Sequence, residues 1–585
     1  MRNRKICKSC LIVLLLICLL FAFTVSGEAE IKGKHNITVK EYTTYIGSTL
    51  DYVLNKEFPL YFMDGVDDLP YVNLQNWAGM LYFINTEILN DSGYDLEMER
   101  NGNVISFIRE NGYELQFDFE KDQLFFEDYD AFMHHSNDST LIDLVSEKGV
   151  DENGNSELIW RNGRASFDRY GDNLTIDLNA YGIHMIAQDD EYYVPLQTLN
   201  DFTLLQASSG FVFNGEALFL ANDDIFYSYQ EDAYTEVARK YYEAPERDRS
   251  DALADYSYKE LSLVLDTFYG LKEIHDIKSF RELFWQIGYD EVLSGNDSLD
   301  ADNALKSFID YYLDDLHSTF NEYSAFAGRN SIEGSKGIAN VKLENHIEGY
   351  KNARKAAYPD GYLAYEEVGN TAFITFDSFK SNYYGRAFYT AKENGQWLDD
   401  TVGQIIEAHA MITRENSPIE NVVLDLSINT GGDVDAAVVV LSWFLGEAPF
   451  SVKNMATGGA STAIYRADIN LDHQYDEKDT VMDKNLFCLI SPVSFSCGNL
   501  VPAAFKYSQE VTLLGRTSGG GSCTVQPMTT ASGAIFQMSS PFRMSFIKNG
   551  SFYDIDTGVE PDYYIKNLSN FYNREALTEY INNLF

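Results

Sequence analysis

An alternation in the C-terminal half constrains this chain most. Four short, largely apolar runs (371–376, 421–426, 485–490 and 511–514) are separated by stretches of helical periodicity. Runs of this length and composition suit buried strands. The residues after Gly432 and after Phe495 supply covering helices. The region therefore predicts an α/β core.

Upstream the period changes. From Glu28 to about Ile225 apolar and polar residues alternate, as in Asn103-Val104-Ile105-Ser106-Phe107-Ile108, which is the pattern of half-buried strands. A weak internal repeat lies here: Tyr71-Val72-Asn73-Leu74-Gln75-Asn76-Trp77 recurs as Tyr193-Val194-Pro195-Leu196-Gln197-Thr198-Leu199. Between about Tyr229 and Phe326 the spacing turns helical, with an amphipathic run at 305–316 closed by His317, followed by a polar stretch at 328–349 that reads as a linker or lid. The 585 residues exceed one ordinary core. The expected division is 1–27, 28–228 (β-rich), 229–335 (helical) and 336–585 (α/β core).

The formal charge is −45, and no basic patch follows the first few residues, which disfavours nucleic acid as a partner. Arg2, Arg4, Lys5 and Lys8 precede an apolar run at 11–23 and the small residues Thr24-Val25-Ser26-Gly27. This reads as a cleaved export signal, so the chain is expected to be secreted or associated with the cell surface. Beyond that run the cysteines Cys488, Cys497 and Cys523 are odd in number and read as small buried apolar residues. His134 and His135 are adjacent and His184 stands alone, spacings that do not suit a copper site.

The run 468–479 places Asp468, Asn470, Asp472, Asp476 and Asp479 at alternating positions resembling those of a calcium loop. His473 stands where such loops have glycine, and Asp479 where they have a bidentate glutamate. A weak structural calcium site and a solvated acidic loop remain equally open readings.

Several segments carry chemistry. A strand ends in Asn429-Thr430-Gly431-Gly432, where glycines let backbone N–H groups face a cleft. A second strand runs through Phe495 to Ser496-Cys497-Gly498-Asn499 at the opening of a helix. Local pattern alone makes Ser496 more often a cap than a nucleophile. His317 follows Asp314-Asp315-Leu316 as a candidate base, and Asp554-Ile555-Asp556-Thr557-Gly558-Val559-Glu560-Pro561-Asp562 forms an acidic turn.

In this order, across 259–565, these segments resemble the tail-specific protease and tricorn-core family of serine peptidases. The resemblance implies a crotonase-like spiral of ββα units and makes Ser496 the nucleophile. It implies an oxyanion hole from Cys497 N–H with Gly431 or Gly432, and no required cofactor. Gly520-Gly521-Ser522 replaces the lysine base of the processing branch, so His317 becomes the base, as in the tricorn-like branch. Ile555 holds the place of that branch's glutamate, leaving Asp556 as the expected orienting carboxylate and Asp554 as second choice. No PDZ-like segment separates His317 from Thr371. The second copy of the N-terminal repeat resembles the copper amine oxidase N-terminal-like domain, a candidate cell-wall or surface contact. The implied activity is hydrolysis of protein or peptide substrates through an acyl-enzyme. The alternatives are an inactive surface-binding protein on the same fold, or a hydrolase of esters or other amides.

Overall fold

The computed structural model describes residues 34–584, except 55–56, 90, 92, 134–142, 147–153, 155, 163–165, 205–209, 227–233, 330–333, 382–384 and 396–398. The export segment and His134-His135 lie outside the described residues.

The apolar runs form the centre of a six-stranded sheet in the order Tyr365–Val368, Thr371–Thr375, Asn421–Asp425, Asn485–Ile490, Val511–Gly515, Tyr563–Tyr564. From Thr371–Thr375 onward each neighbouring pair is parallel. Alternate side chains face two separate cores, as the period of a strand requires. Ile374, Val422, Leu424 and Cys488 pack with the helices Thr401–Ile412, Val434–Leu445 and Cys497–Ser508. Phe373, Val423, Phe487 and Leu489 pack with Tyr350 and the C-terminal helices Ser569–Tyr572 and Arg574–Asn582. A buried ion pair of 2.7 Å between Arg574 and Asp425 ties that last helix to the sheet.

A seven-stranded sheet lies beside it. Ile535–Ser545 pairs with Cys523–Thr529, with Ala448–Asn454 and with Thr319–Glu322. Two strands from the N-terminal half, Ile159–Arg161 and Ser166–Arg169, pair with Ala460–Ala467 at its far side. The segment 28–228 therefore contributes strands to the core sheet as well as forming sheets of its own.

The repeat seen in the sequence is paired with itself. Tyr71–Asn73 and Glu191–Pro195 run antiparallel, with Val72 opposite Val194, and each leads into a helix, Leu74–Phe83 or Leu196–Thr203. The Trp77 indole N–H donates to Thr203 Oγ1 at 2.9 Å, joining the two helices.

Two expectations need correction. The helical run at 305–316 stops early: Ser298–Ser307 passes into a π-helical turn, Phe308–Leu313, and then Asp314 and Leu316 take φ of 46° and 69°. His317 therefore sits in a loop ahead of a strand, not at a helix end. The polar stretch at 328–349 is not mainly linker, because the helix Ile338–Ala357 occupies its second half and continues beyond it. Asp314 supplies the reason, since its carboxylate accepts the N–H groups of Ala339 and Asn340 and so satisfies the helix start.

Candidate active site

The six-stranded sheet positions Ser496. The strand Asn485–Ile490 leads to a tight turn, and Ser496 adopts φ 55° and ψ −125° before the helix Cys497–Ser508. A non-glycine residue in this region carries strain of about 1–3 kcal/mol, which surrounding contacts must hold. Here they do: Ser496 N–H donates to Gly520 O at 2.9 Å, and Phe495 N–H donates to Asn429 O at 3.1 Å. The Ser496 side chain caps nothing in the helix it opens, so the capping role that the local pattern favours is not the one it plays.

Glycines allow the close approach. A Cβ on Gly431 would lie 2.6 Å from Ser496 Cβ, and one on Gly498 would lie 2.5 Å from Asn429 O. The two turns thus interlock, and neither tolerates a side chain at the contact.

The backbone donors sort themselves. Gly431 N–H donates to Asn429 Oδ1 at 2.9 Å, so the expected Gly431 donor is already engaged. The neighbouring Gly432 N–H has no acceptor among the described residues, because the bridge to Phe379 uses Gly431 O and Asp433 N–H on either side of it. Cys497 N–H, at the first helical position, likewise has no acceptor among the described residues. Unpaired donors at a helix start carry partial positive charge and suit a developing oxyanion. The Cys497 thiol is no rival nucleophile: burial pushes its pKa to about 12.

The seven-stranded sheet positions His317. Its N–H donates to Asp315 Oδ1 at 3.0 Å, and its carbonyl accepts from Gln537 Nε2 at 2.7 Å. Ser318 Oγ, bonded to Asp315 Oδ2, accepts Ser539 N–H, which fixes the loop to the strand Ile535–Ser545. The imidazole is buried and packs on Phe495, the residue before Ser496, with ring centroids 4.6 Å apart. Among the described residues no hydrogen bond joins this ring to Ser496. Burial lowers the His317 pKa, opposed first by Asp315 and then by Asp556.

The carboxylates differ from expectation in what they hold. Asp556 Oδ1 accepts both the N–H and the Oγ–H of Ser522, at 3.0 and 2.9 Å. No hydrogen bond or ion pair links it to the His317 ring. Asp554 is paired with Arg543 at 2.6 Å, and Arg543 Nε also donates to Ser522 Oγ. Asp315, which the sequence reading left without a role, acts more strongly on the ring and accepts the Tyr269 hydroxyl at 2.8 Å. Ser522 occupies the turn where a lysine was sought. The buried Asn499 brings the acidic turn into place: Nδ2 donates to Ile555 O at 2.8 Å, and Oδ1 accepts Ser518 Oγ–H at 2.7 Å.

The acidic loop behaves otherwise. Asp468 accepts the N–H groups of Asp472 and His473 and the Tyr389 hydroxyl. Asp479 accepts those of Asn470 and Asp476, Asp472 that of Gln474, and Asp476 that of Lys478. Among the described residues no group of three or more His, Cys, Asp or Glu side chains is placed to hold a metal ion. These carboxylates cap the loop's own backbone. His184 is likewise paired, with Asp122 at 2.9 Å.

Comparison with known proteins follows the same line. The model of peptidase family S41 matches residues 370–565. No curated protein matches the chain. Among solved structures, a Parabacteroides merdae protein described as a candidate peptidase shares 13% identity at a TM-score of 0.41, covering 57% of this chain and 96% of that one. Mature CPAF in complex with lactacystin shares 10% identity at 0.35, covering 57% and 97%. A Streptococcus agalactiae lipoprotein shares 13% identity at 0.34, covering 58% and 96%. Residues 370–565 thus carry a peptidase family S41 domain, which makes this part of the chain a serine-type peptidase domain.

Proposed function

We propose that the chain is an exported peptidase that cleaves protein or peptide substrates through an acyl-enzyme on Ser496. The observation that carries this reading is the Ser496 turn: a strained serine, released from capping, beside two unpaired backbone donors. His317 removes the Ser496 proton as Oγ attacks the substrate carbonyl, and later returns it to the leaving amine. Cys497 N–H and Gly432 N–H hold the oxyanion, and water then resolves the ester. Asp315 and Asp556 supply negative charge that favours the imidazolium, Asp315 the more strongly. Asp315 also fixes the loop that carries the ring.

Export is supported by the apolar run 11–23 with its basic start and small-residue end. Among the described residues no helix is long and apolar enough to cross a membrane. The paired N-terminal repeat is proposed as a contact to the cell wall or surface, on the strength of its separate sheet.

A fluorophosphonate probe tests the chemistry. The wild type labels at Ser496, and Ser496→Ala does not. A wild type that resists the probe under conditions where it is folded contradicts the reading. A paired panel of peptides and esters then reports which acyl group is preferred.

A further inference from the structure

The helix Ile338–Ala357 begins at the loop that carries His317. Its start is held by Asp314, three residues before His317. Further along, Tyr350 packs on Phe571, and His346 and Tyr350 both feel the charge of Arg516. Arg516 follows the strand Val511–Gly515 and leads toward Gly520, whose carbonyl holds Ser496 N–H. The first three turns of this helix therefore run from the loop that carries His317 toward the turn that follows the strand Val511–Gly515.

Those turns carry an open groove of about 410 Å³, lined by Ile338, Val341, Lys342, Asn345 and His346 together with Lys336 and Gly337. Its apolar part is exposed, Ile338 by 84% and Val341 by 44%. Its polar part is basic. In a chain of formal charge −45, Lys342 and Arg516 have no acid partner among the described residues. The Arg516 side chain donates to the carbonyls of Ile565 and Lys566, and of the groove lysines only Lys336 is paired among the described residues, with Glu344. His346 sits in the same field: its pKa is lowered by burial and then by Lys342 and Arg516, with no acid opposing them. Exposed apolar surface beside uncompensated cations suits a ligand that brings both apolar groups and negative charge.

We propose that this groove is a substrate subsite that takes an apolar segment bearing carboxylates, which Lys342 and His346 hold. Its ligand class rests on the peptidase reading above. The carboxylates come from acidic side chains or from the end of a chain, and the two sources are separable.

The test uses the full chain carrying Ser496→Ala, so that peptides bind without being cut, and reads fluorescence anisotropy. Three labelled peptides are compared: one rich in Leu and Glu, the same with Gln for Glu, and the Glu peptide with an amidated C-terminus. The Glu peptide is expected to bind about tenfold tighter than the Gln peptide, with the preference fading as salt screens the contact. Lys342→Glu should remove about tenfold from the Glu peptide and leave the Gln peptide unchanged. If amidation alone removes the preference, the chain end is the ligand; if it does not, the side chains are, and the subsite stands in both cases. Equal binding of Glu and Gln peptides, or a preference that survives Lys342→Glu, overturns the proposal. Because binding is read without turnover, an acidic preference in a protein whose wild type cuts nothing would fault the peptidase reading instead.

Discussion

The turn at Ser496 and the acidic loop 468–479 both follow core strands and both place polar residues at suggestive spacing, yet they satisfy their hydrogen bonds in opposite ways. In the loop nearly every carboxylate is taken by the loop's own N–H groups. At Ser496 the hydroxyl caps nothing and two neighbouring N–H groups have no acceptor. A polar group that the fold has already satisfied is structure; one left unpaired beside a cleft is available to a substrate. The folded chain thus separates a motif that holds itself together from one that waits for a ligand.

The sharpest way to break this comparison is to remove the hydroxyl. Ser496→Ala should lower kcat by at least about 10⁴-fold, as loss of a nucleophile does. The melting temperature should hardly move, since the side chain makes no cap to lose. Hydrolysis assays and thermal melts report both, and a large loss of stability with retained turnover would reverse the contrast.

His317 comes next. His317→Ala should cost at least about a hundredfold in kcat. Because burial lowers the pKa of this ring, the neutral base persists to lower pH, and the acid limb of kcat/KM should fall below the ordinary histidine value of about 6.5. A limb well above that value, or a variant with an unaltered profile, would remove His317 as the base.

A third region sharpens the rule. Asp201 and Glu260 face each other in full burial, and among the described residues Asp201 Oδ2 and Glu260 Oε1 have no donor outside the pair. Burial raises both pKa values, that of Glu260 to about 7, with the charge of Glu260 next in raising Asp201. The folded state then holds protons that the unfolded chain releases near pH 4, so stability falls as pH rises from there through about 7. Unpaired groups that face no cleft should thus affect stability and leave catalysis alone. Glu260→Gln should gain stability relative to wild type at pH 8 compared with pH 5, as denaturant melts would show. An equal difference at both values would mean the pair does not share a proton.

The smallest effect belongs to the loop. Millimolar calcium should leave the melting temperature unchanged, because its carboxylates already serve the backbone. A clear calcium-dependent rise would show that those bonds yield to a cation, and the contrast between the two turns would weaken.

The core was legible in the sequence because its signal is local. The runs 421–426 and 485–490 became the strands Asn421–Asp425 and Asn485–Ile490 almost residue for residue, since a strand buried on both faces must be apolar throughout. The helix Ile338–Ala357 was not legible: only Tyr350 and Arg354 are buried along its 20 residues, so it shows little apolar period. The reach of the run 305–316 was overread because nothing in the pattern marks Asp314 as left-handed. At the site, Ser496 could be placed through the order of its motifs, although the contacts that hold its turn come from Gly520 and Asn429, far away in sequence. The engagement of Gly431 N–H by Asn429 was also readable, as an Asx turn spanning two residues. The roles of Asp315, Ser522 and Gln537 were not, since the partners of Ser522 and Gln537 lie 21 to 220 positions away and those of Asp315 include Tyr269, 46 positions back.

The structure of a fluorophosphonate adduct tests the central claim most directly. The account predicts phosphorus bonded to Ser496 Oγ, with the phosphoryl oxygen about 2.7–3.1 Å from both Cys497 N and Gly432 N. An adduct on another residue, or a phosphoryl oxygen turned to solvent while both N–H groups stay unpaired, would contradict it.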